Sequence, residues 1–251
     1  MRRPRYGFFG SYDTYAEAAA AAGSAGYSDP AMVDTLVRNQ SERAQAHEPP
    51  ALEDRWLQLQ LGLAHALDGA QAGELSVLDF GGAAGTHYFD VVRWREHTGW
   101  PSARLRWHVC ETAAMAAAAG AVLGGEELSF HDSLEELEDQ AYDLVYVSGS
   151  LQYVPDAEDT WSRLAGLSHR WLVLNRTPFI PTGPDLFAVQ RVRVPRGDPA
   201  SYPGRFLAEG PWLQRIGRTH DLIVRWPERG AGPYVQARRD VRYEGMLLRR
   251  R

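Results

Sequence analysis

A strand-turn-helix pattern rich in glycine carries the clearest chemistry in this sequence. Residues 75–88 read LSVLDFGGAAGTHY, a short apolar run followed by an acid and three glycines. An apolar run that ends in glycines indicates a buried strand turning sharply into a helix. Because glycine has no Cβ, Gly81, Gly82 and Gly85 would let a ligand lie directly against the main chain. The stretch predicts a nucleotide-cofactor turn, and the alternative is a glycine-rich turn without a ligand.

The spacing of these glycines separates two kinds of cofactor. A dinucleotide fingerprint needs glycines at positions i, i+2 and i+5, which Gly81, Gly82 and Gly85 do not supply. NAD is therefore disfavoured. The order acid-x-Gly-x-Gly-x-Gly is met from Asp79 with Ala83 at the middle glycine position, which resembles motif I of class I S-adenosylmethionine (SAM) methyltransferases. This resemblance implies SAM as the cofactor, with Asp79 meeting its cationic amino group.

Acidic residues follow the next two predicted strands. Ligands of such sheets bind beyond the carboxyl ends of the strands. Glu111 ends the strand 105–110, where a carboxylate can accept hydrogen bonds from both ribose hydroxyls, and the alternative is an ordinary surface acid. Asp132 and Ser133 follow the strand 128–130, where the adenine edge is expected. Asp132 is the adenine contact we favour, because Ser133 is also explained as a helix cap.

The end of the fourth strand is where the methyl group and its acceptor should meet. Residues 148–153 read SGSLQY. Ser148 and Gly149 are predicted to contact the cofactor, and Gln152 and Tyr153 to orient the acceptor. The pattern is not G-x-S-x-G, so no nucleophile elbow is predicted. The alternative for Tyr153 is simple packing beneath the N-terminal segment.

An arginine follows the fifth predicted strand, at 171–174. Arg176 is expected to face the same crevice, where its guanidinium fork would suit a carboxylate or phosphate on the substrate. The alternative is an ion pair with a neighbouring acid. The eight histidines show no metal-ligand spacing, so no metal site is expected. His87 and His131 are the nearest candidates for a general base.

The first 70 residues predict a helical cap. Helices are expected over residues 11–22, 31–46 and 52–67. They would form a lid and first layer within the same domain as the core, residues 71–251. Tyr12, Tyr15 and Tyr27 lie in glycine-flanked or capping contexts, which suits a segment that orders over the substrate. The alternative is a helical decoration that only stabilises the sheet.

Beyond residue 70, apolar strands alternate with helices, which is typical of a parallel sheet covered on both faces. Strands are expected at 75–78, 105–110, 128–130, 142–147 and 171–174. Helices are expected at 86–97, at 112–124, after the capping box of Ser133 and Glu136, and at 156–169. The predicted fold class is α/β, a Rossmann-like class I methyltransferase sheet with an N-terminal helical cap.

The C-terminal third departs from this alternation. Residues 177–211 contain seven prolines and predict a long irregular segment, in which 188–194 is the candidate strand. Gln190 and Tyr202 of this segment are assigned to the substrate side. A helix is expected at 210–219. Strands at 222–226 and 243–248 are expected to form an antiparallel edge pair that ends the mostly parallel sheet.

Composition excludes several kinds of chemistry. The 251 residues carry 27 basic and 32 acidic side chains, a net charge of −5, which favours neither nucleic acid nor an anionic membrane. No residue is lysine, so Schiff-base lysines and Walker A loops are absent. Cys110 is the single cysteine, which excludes an intramolecular disulfide and fits a reducing cytoplasm. No apolar run approaches the ~18 residues of a membrane span.

The motifs together resemble a bacterial family of methyltransferases associated with surface-polysaccharide gene clusters. The matching stretches cover nearly the whole chain and are GFFGSYDTYAEA, GYSDPAMV, LDFGGAAGTHY, WHVCE, LSF, SGSLQYV, NRTPF, AVQ and SYP. The resemblance implies functional or fold-defining positions for Asp79, Gly81, Glu111, Gln152, Tyr153, Arg176, Gln190 and Tyr202. It supplies no substrate.

The sequence thus predicts a SAM-dependent methyltransferase that acts on a small molecule or glycan precursor, at oxygen. Such a reaction needs few catalytic groups, because the enzyme mainly aligns donor and acceptor and removes a proton. One alternative is a protein of the same fold that binds SAM or a partner without chemistry. An NAD-dependent oxidoreductase is a weaker one. A homo-oligomer is compatible with this interpretation.

Overall fold

The computed structural model describes most of the chain. The described residues are 6–23, 26–46, 48, 54–68, 70, 73–194, 196–197, 199–228, 234–236 and 239–251. The helices in this part are α1 Tyr15–Ala22, α2 Pro30–Ala44, α3 Asp54–Leu67, α4 Thr86–Thr98, α5 Ala113–Leu123, α6 Ala157–Gly166 and α7 Glu209–Ile216. The strands are β1 Gly7–Tyr12, β2 Glu74–Phe80, β3 Arg104–Cys110, β4 Leu128–His131, β5 Ala141–Ser148, β6 Ser168–Ile180, β7 Leu186–Val192, β8 Ala200–Ala208, β9 His220–Pro227, β10 Tyr234–Gln236 and β11 Arg239–Arg250.

The central sheet has the strand order β4-β3-β2-β5-β6-β11-β9. The pairs from β4 to β6 are all parallel, whereas β11 is antiparallel to both β6 and β9. The predicted mostly parallel sheet and its antiparallel C-terminal edge pair are therefore confirmed. Chain order reverses between β2 and β5, and in open α/β sheets a ligand crevice forms beyond the carboxyl ends of strands at such a point.

Helices cover both faces of this sheet because alternate strand residues point to opposite sides. One face packs against α6 and α7 in an apolar cluster that includes Leu78, Val147, Leu174, Trp161 and Trp212. The other face packs against α3 and α4 in a cluster that includes Val77, Tyr146, Val173, Leu59 and Val91. Burial of each large apolar side chain contributes about 1.5–3 kcal/mol, so these two layers hold the strand ends in place.

Three strands extend the sheet past the carboxyl end of β6. Phe179 and Ile180 pair parallel with β8, β7 pairs antiparallel with β8, and β1 pairs antiparallel with β7. The prediction of an irregular segment over 177–211 was therefore wrong, although its candidate strand matches β7. Pro203 lies in β8 opposite Val189 of β7, and along 200–206 β8 has no other partner among the described strands. Proline is tolerated at such an open edge, so the proline count misled the prediction.

Two predicted helices also need correction. The helix expected from Ser11 begins only at Tyr15, where Thr14 is the N-cap and forms a capping box with Glu17, and the residues before it form β1. The helix expected after Ser133 is a single 3-10 turn, Glu135–Leu137. Because β5 already begins at residue 141, too few residues remain there for an α-helix.

The N-terminal region joins the core in two places. Trp56, Leu59 and Leu63 of α3 are buried against the sheet, and β1 pairs with β7. Whether this region moves as a lid stays a prediction. Within the described residues, no helix is long and apolar enough to cross a membrane.

Candidate functional site

A cavity of about 740 Å³ opens beyond the carboxyl ends of the central strands. Predicted site residues that line it are Gly81, Gly82, Ala83, Glu111, Asp132, Ser133, Ser148, Gly149, Tyr153, Arg176, Gln190 and Tyr202. Residues from α2, α4, α6 and the end of β7 complete its wall. Cofactor and substrate cavities usually measure about 300–1,000 Å³, so this one can hold a nucleoside cofactor together with a small acceptor.

The glycines of the motif turn are required by the packing of the protein itself. Gly81 has φ +74° and Gly85 has φ +77°, left-handed values that residues other than glycine rarely adopt. A Cβ on Gly81 would overlap the Cβ of Ser150, and a Cβ on Gly82 would overlap the carboxylate of Asp79. Protein atoms therefore occupy the positions that Cβ atoms on Gly81 and Gly82 would take, so these glycines shape the turn, and both also line the cavity.

Asp79 lies behind this turn and does not line the cavity. It is fully buried, its Oδ2 lies 2.9 Å from His87 Nδ1, and it accepts a hydrogen bond from Trp107 Nε1 at 3.3 Å. Because Asp79 is buried behind the turn and does not line the cavity, its position does not support the predicted direct contact with the SAM amino group. A carboxylate only accepts, so Nδ1 of His87 carries the proton and Nε2 accepts in the neutral imidazole.

Glu111 connects the end of β3 to the motif turn. Its Oε1 accepts a hydrogen bond from the N–H of Ala83 at 3.0 Å, and its Oε2 accepts one from the N–H of Thr112 at 2.9 Å. Burial raises the pKa of Glu111 and the charge of Asp79 adds to this, while the two N–H donors act in the opposite direction. Each carboxylate oxygen keeps a second lone pair, so Glu111 can still accept the two ribose hydroxyls.

The residues after β4, where the sequence predicts the adenine contact, line the cavity. Asp132 is exposed at the cavity wall. The hydroxyl of Ser133 donates to Glu135 and lowers the pKa of that carboxyl, and Arg163 of α6 forms ion pairs with Glu135 and Glu138. Acidic oxygens therefore dominate this end of the cavity, and its one lining arginine is neutralised.

The turn after β5 binds its neighbours on both sides. Ser150 Oγ donates to the carbonyl oxygen of Phe80 at 2.7 Å, and the N–H of Gly149 donates to the carbonyl oxygen of Asn175 at 2.9 Å. Gln152 is buried and donates from Nε2 to the carbonyl oxygen of Arg176 at 3.3 Å. Gln152 does not line the cavity, so its predicted contact with the acceptor is replaced by a contact with the backbone of Arg176.

A β-bulge places Arg176 at the cavity. On β11, Glu244 pairs with Thr177 and Met246 pairs with Leu174, so two residues of β6 lie opposite one residue of β11. Arg176 is one of these two and has φ +52°. Bulges are common beside active sites because they change the direction of a side chain. The guanidinium carbon of Arg176 lies 3.7 Å from the position that a Cβ on Gly149 would take.

An aromatic pair forms another part of the cavity wall. Tyr153 Oη donates to Gln190 Oε1 at 2.5 Å, and the rings of Tyr153 and Tyr202 meet edge to face at 5.1 Å between centroids. Tyr15 Oη donates to the carbonyl oxygen of Tyr153 at 2.9 Å. Burial raises the pKa of Tyr15. The α1 helix thus contacts the residue that the sequence assigned to the acceptor.

The other two tyrosines that the sequence assigned to the substrate differ in outcome. Tyr12 ends β1 opposite Phe187 and does not line the cavity, because the strand that replaces the predicted helix directs it elsewhere. The side chain of Tyr27 lies outside the described residues. Conversely, the sequence did not identify Arg193 as a site residue, although it follows β7 and lines the cavity. Its signals were the candidate strand at 188–194 and the assignment of the neighbouring Gln190 to the substrate side.

Comparisons with known proteins show the fold and little more. No protein-family model matches the chain, and no curated protein matches it. The [4+2]-cyclase SpnF is 12% identical with a TM-score of 0.53, covering 90% of this chain and 97% of that chain. The CcbJ methyltransferase from Streptomyces caelestis is 13% identical with a TM-score of 0.48, covering 88% and 99%. LepI in complex with SAM is 12% identical with a TM-score of 0.46, covering 86% and 52%.

At these identities a likeness shows the fold alone. The chain has the α/β fold with a mostly parallel central sheet that the sequence predicted.

Proposed function

We propose that the protein is a SAM-dependent methyltransferase acting on oxygen of a small molecule or glycan precursor. The observation that carries this proposal is the division of one cavity into two ends. The motif turn and Glu111 form one end, and Tyr153, Gln190 and Arg176 form the other. Such a cavity suits a nucleoside cofactor beside a second, separate molecule.

The cofactor end fits SAM because its carboxylates can accept hydrogen bonds from the donor groups of the cofactor. Each carboxylate oxygen of Glu111 can accept a hydrogen bond from a ribose hydroxyl, and the Asp132 carboxylate can accept one from the adenine amino group. Ser148 and Gly149 line the cavity at the end of β5. When bound, SAM supplies a sulfonium-activated methyl group. The protein therefore contributes mainly the alignment of the two bound reactants, which can lower a barrier by about 7–11 kcal/mol.

A hydroxyl acceptor must also lose a proton, and His87 is the group we assign to accept it. His87 lines the cavity, and its Nδ1–H is held by the buried carboxylate of Asp79, so Nε2 is the basic atom. The other histidine considered from the sequence, His131, is bonded instead to Glu136 and to Ser129 and does not line the cavity.

A thermal-shift and calorimetry panel with SAM, S-adenosylhomocysteine (SAH), NAD and buffer tests the cofactor. At a ligand concentration of 100 times Kd, SAM and SAH should stabilise the protein by about 2.7 kcal/mol, or roughly 5–10 °C in Tm. NAD should give no shift. A shift with NAD and none with SAM or SAH would contradict the proposal.

Methyl transfer itself separates an enzyme from a protein that only binds SAM. SAH release is measured with a panel of hydroxylated acceptors, in the parent protein and in His87→Gln. We expect acceptor-dependent SAH release that falls in the variant by about 10²–10⁴-fold, the usual contribution of general base catalysis. SAM binding without SAH release for every acceptor would favour the non-catalytic alternative.

A further inference from the structure

We propose that the acceptor is an oxyanion, a molecule with a carboxylate or phosphate group, and that Arg176 and Arg193 bind this group. The inference rests on the proposed function and names the substrate class of the same cavity. Its basis is the placement of charge in the cavity, the backbone of Arg176, and the pairing of the other arginines.

Charge is segregated along the cavity. Of the four acidic residues that line the cavity, Glu111, Asp132 and Glu135 follow β3 and β4 at one side of the sheet, and Asp159 lies on α6. Arg176 on β6 lies on the other side of the sheet, and Arg193 lines the same cavity beyond the end of β7. A cationic end beside a cleft wall concentrates anions and disfavours cations. The acceptor end is therefore suited to a negatively charged molecule.

The backbone at Arg176 is held in a conformation that an arginine rarely adopts. Its φ of +52° lies in the left-handed region, which is strained for a residue other than glycine. The neighbouring side chains fix this geometry: Gln152 donates to the carbonyl oxygen of Arg176, and Asn175 is bonded to Gln58 and Trp226. Such strain persists where the surroundings enforce it, which is common at ligand-binding positions.

Neither arginine has an acidic partner among the described residues. Most arginines of the described chain are used in ion pairs, and Arg163 of the same cavity pairs with two glutamates. The alternative that the sequence left open for Arg176, an ion pair with a neighbouring acid, therefore finds no support in the described part of the chain. The cavity is thus lined by two guanidinium groups without an acidic partner among the described residues, and their planar donor forks match carboxylate and phosphate oxygens.

The wall beside these arginines is ordered before any acceptor binds. β7 carries Gln190 and leads directly to Arg193, and Gln190 is fixed by the hydroxyl of Tyr153. Tyr202 lies opposite Gln190 on β8 and packs on the Tyr153 ring. A preordered wall lowers the entropy lost when an anion is bound, so even a small anionic probe should bind measurably.

Calorimetry with the SAH-bound protein tests the inference with three probes of similar shape. Benzoate and phenyl phosphate carry an oxyanion, whereas benzyl alcohol does not. We expect at least one anion to bind the parent protein, and Arg176→Gln and Arg193→Gln to weaken it by at least about tenfold. Arg176→Lys should recover only part of the affinity, because an ammonium lacks the bidentate fork. Comparing the affinities of benzoate and phenyl phosphate shows whether the site prefers a carboxylate or a phosphate.

Arg218→Gln is the matched control. It removes the same charge from an exposed arginine beyond α7 that has no part in the cavity. The inference would be overturned if benzyl alcohol bound as tightly as the anions. It would also be overturned if Arg218→Gln lost as much anion affinity as the cavity variants, or if both cavity variants kept the parental affinity. So would a loss of SAH affinity in Arg176→Gln, because the arginine would then hold the cofactor's own carboxylate. Failure of SAH to bind the parent protein would instead overturn the proposed function.

Discussion

The carboxylate of Glu111 and the backbone of Ala83 are joined across the cavity floor by a hydrogen bond of 3.0 Å. Ala83 has φ +51°, so this bond holds the middle of the motif turn in a left-handed conformation. The same carboxylate also accepts from the N–H of Thr112 at the start of α5. Glu111 therefore shapes the turn besides offering its remaining lone pairs to a ribose.

Replacing Glu111 by alanine should weaken SAH binding by ~1.5–3 kcal/mol, because hydrogen bonds to a charged group are lost. Calorimetric titration with SAH measures the change. Glu126→Ala is the control, since the Glu126 side chain is 93% exposed and lies outside the cavity. A loss below about twofold would mean that Glu111 does not contact the cofactor.

The close approach of Gly81 and Ser150 gives a second prediction. Gly81→Ala would bring two Cβ atoms into overlap at a residue with φ +74°, so we expect a loss of about 2–4 kcal/mol in the free energy of unfolding. Ser150→Gly in the same chain removes the overlap and should recover part of this loss. Urea unfolding of the four proteins of the cycle measures the coupling. Additive losses would show that Ser150 does not limit the space at Gly81.

Sequence reasoning worked where the signal is local. The glycine turn, the strand end at Glu111 and the SGSLQY turn with Tyr153 each follow from a few neighbouring residues. Because parallel strands deliver their carboxyl ends to one edge, predicting the strands also predicted that these residues would share a crevice. The structure places Glu111 and Tyr153 in one cavity.

Sequence reasoning failed where a feature depends on pairing between distant segments. The bulge at Arg176 exists only in the register between β6 and β11. The β1 strand is stabilised by β7, which no pattern near residue 7 reveals. Likewise, the reason for glycine at Gly81 is Ser150, which lies on another strand end. These features are set by tertiary contacts that override local propensity.

The pair of Tyr153 and Gln190 should act as a unit in turnover. Tyr153→Phe removes the hydroxyl and keeps the ring that packs on Tyr202, so we expect kcat/KM for an accepted substrate to fall about tenfold, with SAH affinity within a few-fold. Gln190→Leu removes the other partner and should cost a similar amount. The double variant should be no worse than either single one. If both single variants keep the parental kcat/KM, the acceptor does not bind at Tyr153 and Gln190.

Removal of residues 1–22 should impair the acceptor side more than the cofactor side. The truncation removes β1 from the edge of β7 and the hydrogen bond from Tyr15 to Tyr153. Residues that line the cofactor end come from later segments, so SAH affinity should stay within a few-fold while kcat/KM falls by about tenfold or more. Tyr15→Phe, which removes only the hydroxyl, should show a smaller loss. Unchanged turnover in the truncated protein would support a purely decorative role.

A buried histidine pair at the opposite end of the sheet predicts how stability depends on pH. His169 Nδ1 must donate to the carbonyl oxygen of Leu167, so its Nε2 accepts from Nε2–H of His220 at 2.8 Å, and both rings are neutral. Burial lowers the pKa of His169 to about 3, with the charge of His220 as a further cause. Burial also lowers the pKa of His220 to about 4, assisted by Arg250.

An unfolded histidine has a pKa near 6.5, so between about pH 4 and 6.5 the unfolded chain binds protons that the folded chain does not, and stability rises with pH there. The full contribution is present above pH 6.5 and is lost as the pH falls. We expect urea unfolding at pH 5 to show a free energy of unfolding lower by roughly 2–4 kcal/mol than at pH 7.5.

Replacing His220 by glutamine should make this loss smaller, while His97→Gln, at an exposed histidine of α4, should leave it unchanged. The loss should not vanish, because burial also lowers the pKa of His108 to about 4. An equal loss at pH 5 in His220→Gln and the parent would show that the pair does not set the acid limit.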